Sequence, residues 1–182
     1  MVDIGSQCSI TGDFRINYLD QAMPSAALIF NTDLKNQPSA EDLIRKQPFS
    51  ELPNLDIIPN NTLSFLSEMI LAAKPARERV LESFFRRNEK VLNEYDYVFF
   101  DAEPLMSITN INAFYVADSI ILTSVTSRES LEGAEIFDSI WGQNREVLMK
   151  ENNVKAMFIC NANISLSLIH ISEPTRLRCI SY

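Results

Sequence analysis

The sequence has 182 residues, 46% hydrophobic and 22% charged, which fits one ordinary globular domain and argues against disorder. A formal net charge of −8 leaves no broad positive surface for nucleic-acid phosphates. The three cysteines, Cys8, Cys160 and Cys179, have no C-x-x-C spacing, and His170 is the single histidine, so a disulfide framework, a structural zinc and a His-Cys metal cluster are all excluded as expectations.

No apolar run reaches the length of a membrane span, and no charged-then-apolar leader opens these residues, so the cytoplasm is the expected compartment and no membrane is expected.

In chain order, Met1-Val2-Asp3-Ile4 reads either as the end of a buried strand whose first part is missing, because a strand needs about five residues to pair well, or as a short irregular start. A short helix is expected from Ala40 to Lys46, introduced by Pro38-Ser39. Asp56-Ile57-Ile58-Pro59 is a short strand closed by proline. Leu63, Leu66, Ile70 and Leu71 share one helix face, and so do Val80, Leu81, Phe84, Phe85, Val91 and Leu92; Pro75 separates the two helices. Tyr97-Val98-Phe99-Phe100 is a continuous apolar run ending in Asp101. Ser119 to Thr123 and Ala156 to Cys160 are two further strands. Between them Leu131, Ile136, Ile140 and Val147 mark a long helix that Ser127 or Ser130 could cap. Continuous apolarity predicts strands covered on both faces, as in a parallel sheet. Strands alternating with helices predict an α/β, doubly wound, mostly parallel sheet with helices on both faces, whose ligands bind at the carboxyl ends of the strands.

The charge runs Arg77-Glu78-Arg79 and Arg86-Arg87, with Glu82 and Glu89 nearby, read as solvated helix faces; Phe84 and Phe85 read as core. Trp141 receives no assignment.

Asp101 is the first candidate for chemistry. A carboxylate at the tip of a buried strand can hold Mg²⁺, usually through water, because Mg²⁺ gives up its hydration shell reluctantly. That is the Walker-B arrangement of P-loop NTPases. Alone the pattern is weak, since a strand terminator or helix cap is its commoner meaning.

The wider run is more specific. Glu94-Tyr95-Asp96-Tyr97-Val98-Phe99-Phe100-Asp101-Ala102-Glu103-Pro104 is followed by Ile111-Asn112-Ala113, by Ala117-Asp118-Ser119-Ile120-Ile121 and by Ser130-Leu131-Glu132-Gly133. Upstream stands Leu55-Asp56-Ile57-Ile58-Pro59-Asn60, with the acidic Glu68 after it. In order and spacing this resembles the ParA/Soj/MinD type of P-loop ATPase, with its YDYIIID-x-PP strand, NAL helix, AD-x-VIIP strand and later LEG. The match extends over most of Val2 to Asn163.

Asp3-Ile4-Gly5-Ser6-Gln7-Cys8-Ser9-Ile10-Thr11 is similar to the family's D-x-D-P-Q-x-x-x-T segment. Asp3 falls on the first carboxylate and is the expected catalytic residue; its bland reading is a solvated turn. The second carboxylate, which in the family helps position the attacking water, falls on Gly5, and Ser6 replaces the proline. Glu103 stands where the family has its first Pro. Phe158-Ile159-Cys160-Asn161 resembles a strand end whose Asn contacts adenine, so Asn161 is the expected base-binding residue, with a turn cap as its structural alternative.

The resemblance implies ATP and Mg²⁺ as cofactors, an ATP-sandwiched homodimer, non-specific DNA binding, and a ParB-like partner that stimulates hydrolysis, in plasmid partition or chromosome segregation. A MinD-like positioning ATPase and a non-hydrolysing switch or adaptor of the same fold are the alternatives. Gly5, Gly12, Gly133 and Gly142 are the only glycines, and no G-K-[ST] occurs among the 182 residues. The family's phosphate loop would lie roughly 30 residues upstream of Asp3. Residues 1–165 are thus expected to be a partial ATPase domain without the Walker-A strand-loop-helix, unable by itself to bind or hydrolyse ATP. Residues 166–182, LSLIHISEPTRLRCISY, resemble the translation of a sequencing-library adapter and are expected to be a non-native tail.

Overall fold

The computed structural model describes residues 1–160 except Leu34, Phe49 and Pro104. The chain divides into two compact units, Met1–Val116 and Ala117–Tyr182, the second described as far as Cys160.

In the first unit β1 (Val2–Asp3) runs parallel to β2 (Phe100–Asp101), with Val2 opposite Phe100 and Asp3 opposite Asp101. Ile58 bridges Val2 in parallel and Ile57 bridges Arg45 antiparallel. The helices are short: α1 (Ser9–Asp13), α2 (Ala27–Asn31), α3 (Ala40–Leu43), α4 (Ser67–Ala72), α5 (Val80–Arg87), α6 (Glu89–Leu92) and α7 (Ile108–Val116). Turns of 3₁₀ helix, Thr62–Leu66 and Arg77–Arg79, lead into α4 and α5. Ser39 and Asp42 close a capping box at the start of α3, each side chain bonding the other's backbone N–H, and the helix stops at Leu43 rather than Lys46. Val2, Ile4, Ile29, Phe30, Leu43, Ile58, Leu71, Leu81 and Phe84 form a continuous buried core, with Phe85, Val98 and Phe100 packed against it. Arg77 pairs with Glu78, and Arg79 with Glu82, on the solvent side as expected.

Two departures in this unit have physical causes. The single helix face from Val80 to Leu92 is broken at Asn88. Its Nδ2 donates to the Phe84 carbonyl at 2.8 Å and its Oδ1 accepts from Ala40 N at 2.8 Å, so the side chain competes with the helical ladder and ties α3 to α5. The expected strands at 56–59 and 97–101 are also shorter. Ile57 and Ile58 make single bridges, and β2 pairs only over the two residues that face β1, which leaves Tyr97 and Phe99 stacked on each other and exposed.

In the second unit β3 (Ile120–Val125) and β4 (Val154–Cys160) pair in parallel from Ile120 opposite Val154 to Val125 opposite Cys160, joined by the long helix α8 (Arg128–Val147). Of the two candidate caps, Ser127 holds the position, its Oγ accepting from Ser130 N at 3.1 Å. The apolar positions that mark α8 in the sequence are open: Ile136 is 58% and Val147 83% exposed, while Trp141 is fully buried. Its indole N–H donates to Asn153 Oδ1 at 3.0 Å, and Asn153 Nδ2 donates to the Ala117 carbonyl at 2.9 Å. Ile121 and Val125 on β3 are likewise exposed, so this strand alternates rather than being covered on both faces. Among the described residues no helix is long and apolar enough to cross a membrane.

Candidate functional site: carboxylates at the tips of β1 and β2

Register puts Asp3 and Asp101 side by side at the carboxyl ends of two parallel strands, the edge where α/β sheets receive ligands. Their surroundings differ. Asp3 is fully buried. Its Oδ1 accepts from Gly5 N at 3.2 Å; its Oδ2 accepts from Thr11 N at 2.9 Å and from the Thr11 hydroxyl at 2.6 Å. The same hydroxyl accepts from Asn60 N at 2.8 Å, and Asn60 Nδ2 donates to the Gly5 carbonyl at 2.9 Å. Burial pushes the Asp3 carboxyl above the ordinary carboxylate range, and the bonds from Thr11 and Gly5 pull it back part of the way. Three bonds to one buried carboxylate make Asp3 the clasp that holds residues 5–11, with Cys8 in a left-handed conformation (φ 54°) at the turn before α1.

Asp101 is half-buried and its carboxylate receives no hydrogen bond among the described residues; only its backbone is engaged, accepting from Ile4 N at 3.2 Å. Burial first, and then the negative charges of Asp3, Asp13 and Glu103, raise its pKa. A carboxylate without a hydrogen-bonding partner, in a negative field, is a position that a cation would stabilise.

Glu103 follows two residues later. Its Oε1 accepts from the Ser6 hydroxyl at 2.6 Å and from Gln7 N at 3.2 Å, so it ties the loop after β2 to the loop after β1. That second loop is fixed from α7: Asn110 Nδ2 donates to the carbonyls of Glu103 (2.8 Å) and Leu105 (2.7 Å). The start of α7 is capped by Glu68, which accepts from Ile108 N, Thr109 N and the Thr109 hydroxyl at 2.6–2.8 Å. Asn112 holds the start of α5, accepting from Leu81 N at 3.0 Å and donating to the Arg77 carbonyl at 2.7 Å.

The structure therefore brings together Asp3 and Asp101, two of the three residues that the sequence singled out. Asn161 lies outside the described residues, as do residues 166–182. Asn60 and Thr11 appear in the sequence only as members of motifs, and Glu103 and Gly5 only as departures from them. The contacts of Asn60 with Thr11 and of Glu103 with Ser6 span 49 and 97 positions of chain and carry no periodic signal.

The donor set suits one class of metal. The carboxylates of Asp3, Asp101 and Glu103 are hard oxygen donors, which favour Mg²⁺ over zinc or copper. Among the described residues no group of three acidic, cysteine or histidine side chains is placed to chelate a metal directly.

Comparison with known proteins fixes the class. A family model described as an AAA domain matches residues 1–155, and the chain belongs to that family. It is similar to the cell division protein PomZ of Myxococcus xanthus, 30% identical over 100 residues, which are 52% of this chain and 30% of PomZ. Among solved structures it resembles the cobyrinic acid a,c-diamide synthase of Mycobacterium smegmatis with bound ATP analogue and magnesium, at a TM-score of 0.67 and 16% identity over 87% of this chain and 60% of that one. It also resembles a plasmid partition protein of Borrelia burgdorferi, at 0.66 and 18% over 87% and 64%. Together these show a member of the AAA-domain family with the parallel α/β fold of the two solved structures. The chain spans about a third of PomZ and under two thirds of each of these structures.

Proposed function

We propose that this chain is the strand-tip half of the nucleotide site of a ParA-like partition ATPase: the half that holds Mg²⁺ and water, as distinct from the half that grips phosphate. The observation that carries the reading is the pairing of a saturated, buried Asp3 with a free, half-buried Asp101 at the same sheet edge. Asp101 serves the Mg²⁺ through its water shell. Asp3 works through the loop it clasps, since burial keeps solvent from its oxygens. Asn161 meets the adenine. The ion supplies charge neutralisation on the terminal phosphates; the protein's part is to place carboxylates around it and to hold the two loops still.

No G-K-[ST] loop occurs among the 182 residues, so the cradle of backbone amides for phosphate is not among them. The 182-residue chain alone is expected to show no saturable ATP binding at millimolar nucleotide. The full-length protein is expected to bind Mg·ATP and to dimerise with it, to bind DNA non-specifically in that state, to answer to a ParB-like stimulating partner, and to work in the cytoplasm. PomZ is named as a cell division protein and the Borrelia relative as a plasmid partition protein, which supports a positioning or segregation role. The synthase of similar fold carries an unrelated chemistry, so the fold alone does not select the cargo.

Light scattering of the full-length protein tests this. Mg·ATP should convert monomer to dimer, and Asp101→Ala should leave it monomeric at the same nucleotide concentration. Dimerisation by the variant equal to that of the parent would refute the assignment of Asp101. A second reading, a switch that binds ATP without turning it over, is favoured by one observation: residue 5 has no side chain with which to hold water.

A further inference from the structure

We infer that Glu103 is the catalytic residue that holds the hydrolytic water, replacing from the loop after β2 the carboxylate that residue 5 lacks. The inference rests on the ATPase reading above and decides between its hydrolysing and non-hydrolysing forms.

The backbone does not require glycine at position 5. Its φ lies outside the left-handed region, so an L-residue would fit there without strain. A Cβ on residue 5 would meet Glu103 Cγ at 3.5 Å, Glu103 Oε1 at 3.6 Å and Asp3 Oδ1 at 3.7 Å, all ordinary contacts. The space into which a side chain at position 5 would extend is thus bordered by the carboxylate of Glu103. Two features of the sequence that look like separate departures, a missing carboxylate at position 5 and an added one at position 103, meet at one place.

Glu103 is also built as a fixed acceptor. Its backbone carbonyl is held by Asn110 at 2.8 Å, and its Oε1 by the Ser6 hydroxyl and Gln7 N. No hydrogen bond to its Oε2 and no ion pair to its carboxylate exists among the described residues. Asp3, by contrast, is buried with both oxygens engaged. Glu103 is therefore the carboxylate at these strand tips that combines fixed orientation with an acceptor oxygen to spare. A water that donates to Oε2 would be oriented with its lone pair outward, next to the loop of Asp101. In hydrolysis that water's oxygen bonds to the terminal phosphorus. The bond to the departing diphosphate breaks with its electron pair on the diphosphate, and the water's proton passes to the released phosphate.

The test is single-turnover ATP hydrolysis by the full-length protein and its variants, with nucleotide affinity measured alongside. Glu103→Gln keeps a carbonyl oxygen for Ser6 and Gln7 but removes the negative acceptor. It should slow turnover by about 10²-fold while affinity stays within a few-fold. Adding Gly5→Asp to Glu103→Gln should recover most of the lost rate, because it restores a carboxylate to the same space. Turnover by Glu103→Gln at the parent rate overturns the inference, and so does a loss that Gly5→Asp does not rescue. A parent that binds ATP but does not hydrolyse it also overturns the inference and leaves the switch reading standing. A parent that does not bind ATP removes the ATPase reading itself.

Discussion

The Asp3 loop and the Trp141 helix are held in place by different means. In the first unit side chains bond the backbone of distant segments again and again: Asn60 to Gly5, Thr11 to Asn60, Asn88 to Ala40, Asn112 to Arg77 and Leu81; Asp3 and Asn110 add shorter ties within the loops after β1 and β2. These bonds lie over a continuous apolar core. In the second unit one buried indole and its partner Asn153 anchor α8 and β4, while apolar side chains on β3 and α8 face outward. A region with many side-chain ties over a buried core should open locally at higher free energy than one whose apolar side chains are exposed. The site needs the first kind of support, because a carboxylate that must hold an ion or a water cannot also wander.

The largest effect that could break this contrast is at the anchor. Trp141→Ala should cost the second unit about 3–5 kcal/mol and release amide-exchange protection along α8, β3 and β4, while Ile29 and Leu81 in the first unit stay protected. Loss of protection everywhere would show that the two units are not independent. Next comes Thr11→Val, which keeps the shape and removes the hydroxyl that donates to Asp3. A urea melt at pH 7 should show a loss of about 1.5–3 kcal/mol, the range for a hydrogen bond to a charged group, with the Asn60 N–H losing its acceptor as well. Asp3 has a folded-state pKa raised by burial. Its contribution to stability is therefore fullest below the ordinary carboxylate value of 3.8 and is lost as pH rises through the raised value. The cost of Thr11→Val should accordingly shrink at a pH low enough to protonate Asp3.

Glu68→Ala should uncap α7 at a cost of about 1 kcal/mol, read in the same melt, and should loosen the Asn110 hold on the loop after Asp101. The smallest effect is the most diagnostic. Asp101 also has a raised folded-state pKa, through burial and the charges of Asp3, Asp13 and Glu103. Ionising it opposes folding as pH rises past its raised value, so Asp101→Asn should raise the melting midpoint slightly at pH 7 and leave it unchanged where Asp101 is already protonated. A fall at pH 7 would mean that Asp101 has a structural partner and is not a free carboxylate.

Much of the fold was legible from apolar runs and caps. Ser39, Ser127 and the periodic face of α5 were readable because helix termini and helix faces follow short-range rules. Strand lengths were not, because pairing depends on the partner: β2 is two residues long where β1 is, whatever the apolar run from Tyr97 suggests. The site was legible only in outline. Asp3 and Asp101 stand at strand ends and announce themselves. The bonds of Asn60 to Thr11 and Gly5 and the meeting of Glu103 with Gly5 join segments 49 and more residues apart, and no local pattern reports such contacts. Asn88 shows the reverse case, a residue inside an unbroken apolar pattern whose side chain ends the helix.

The assignment of Asp101 to the Mg²⁺ of a bound nucleotide is the claim on which the functional account stands. Nucleotide affinity of the full-length protein, measured by calorimetry in Mg²⁺ and again in chelator, tests it for parent and Asp101→Asn side by side. The account predicts that Mg²⁺ tightens ATP binding to the parent and that the variant binds ATP in Mg²⁺ no better than in chelator. An equal Mg²⁺ gain in both proteins would contradict it.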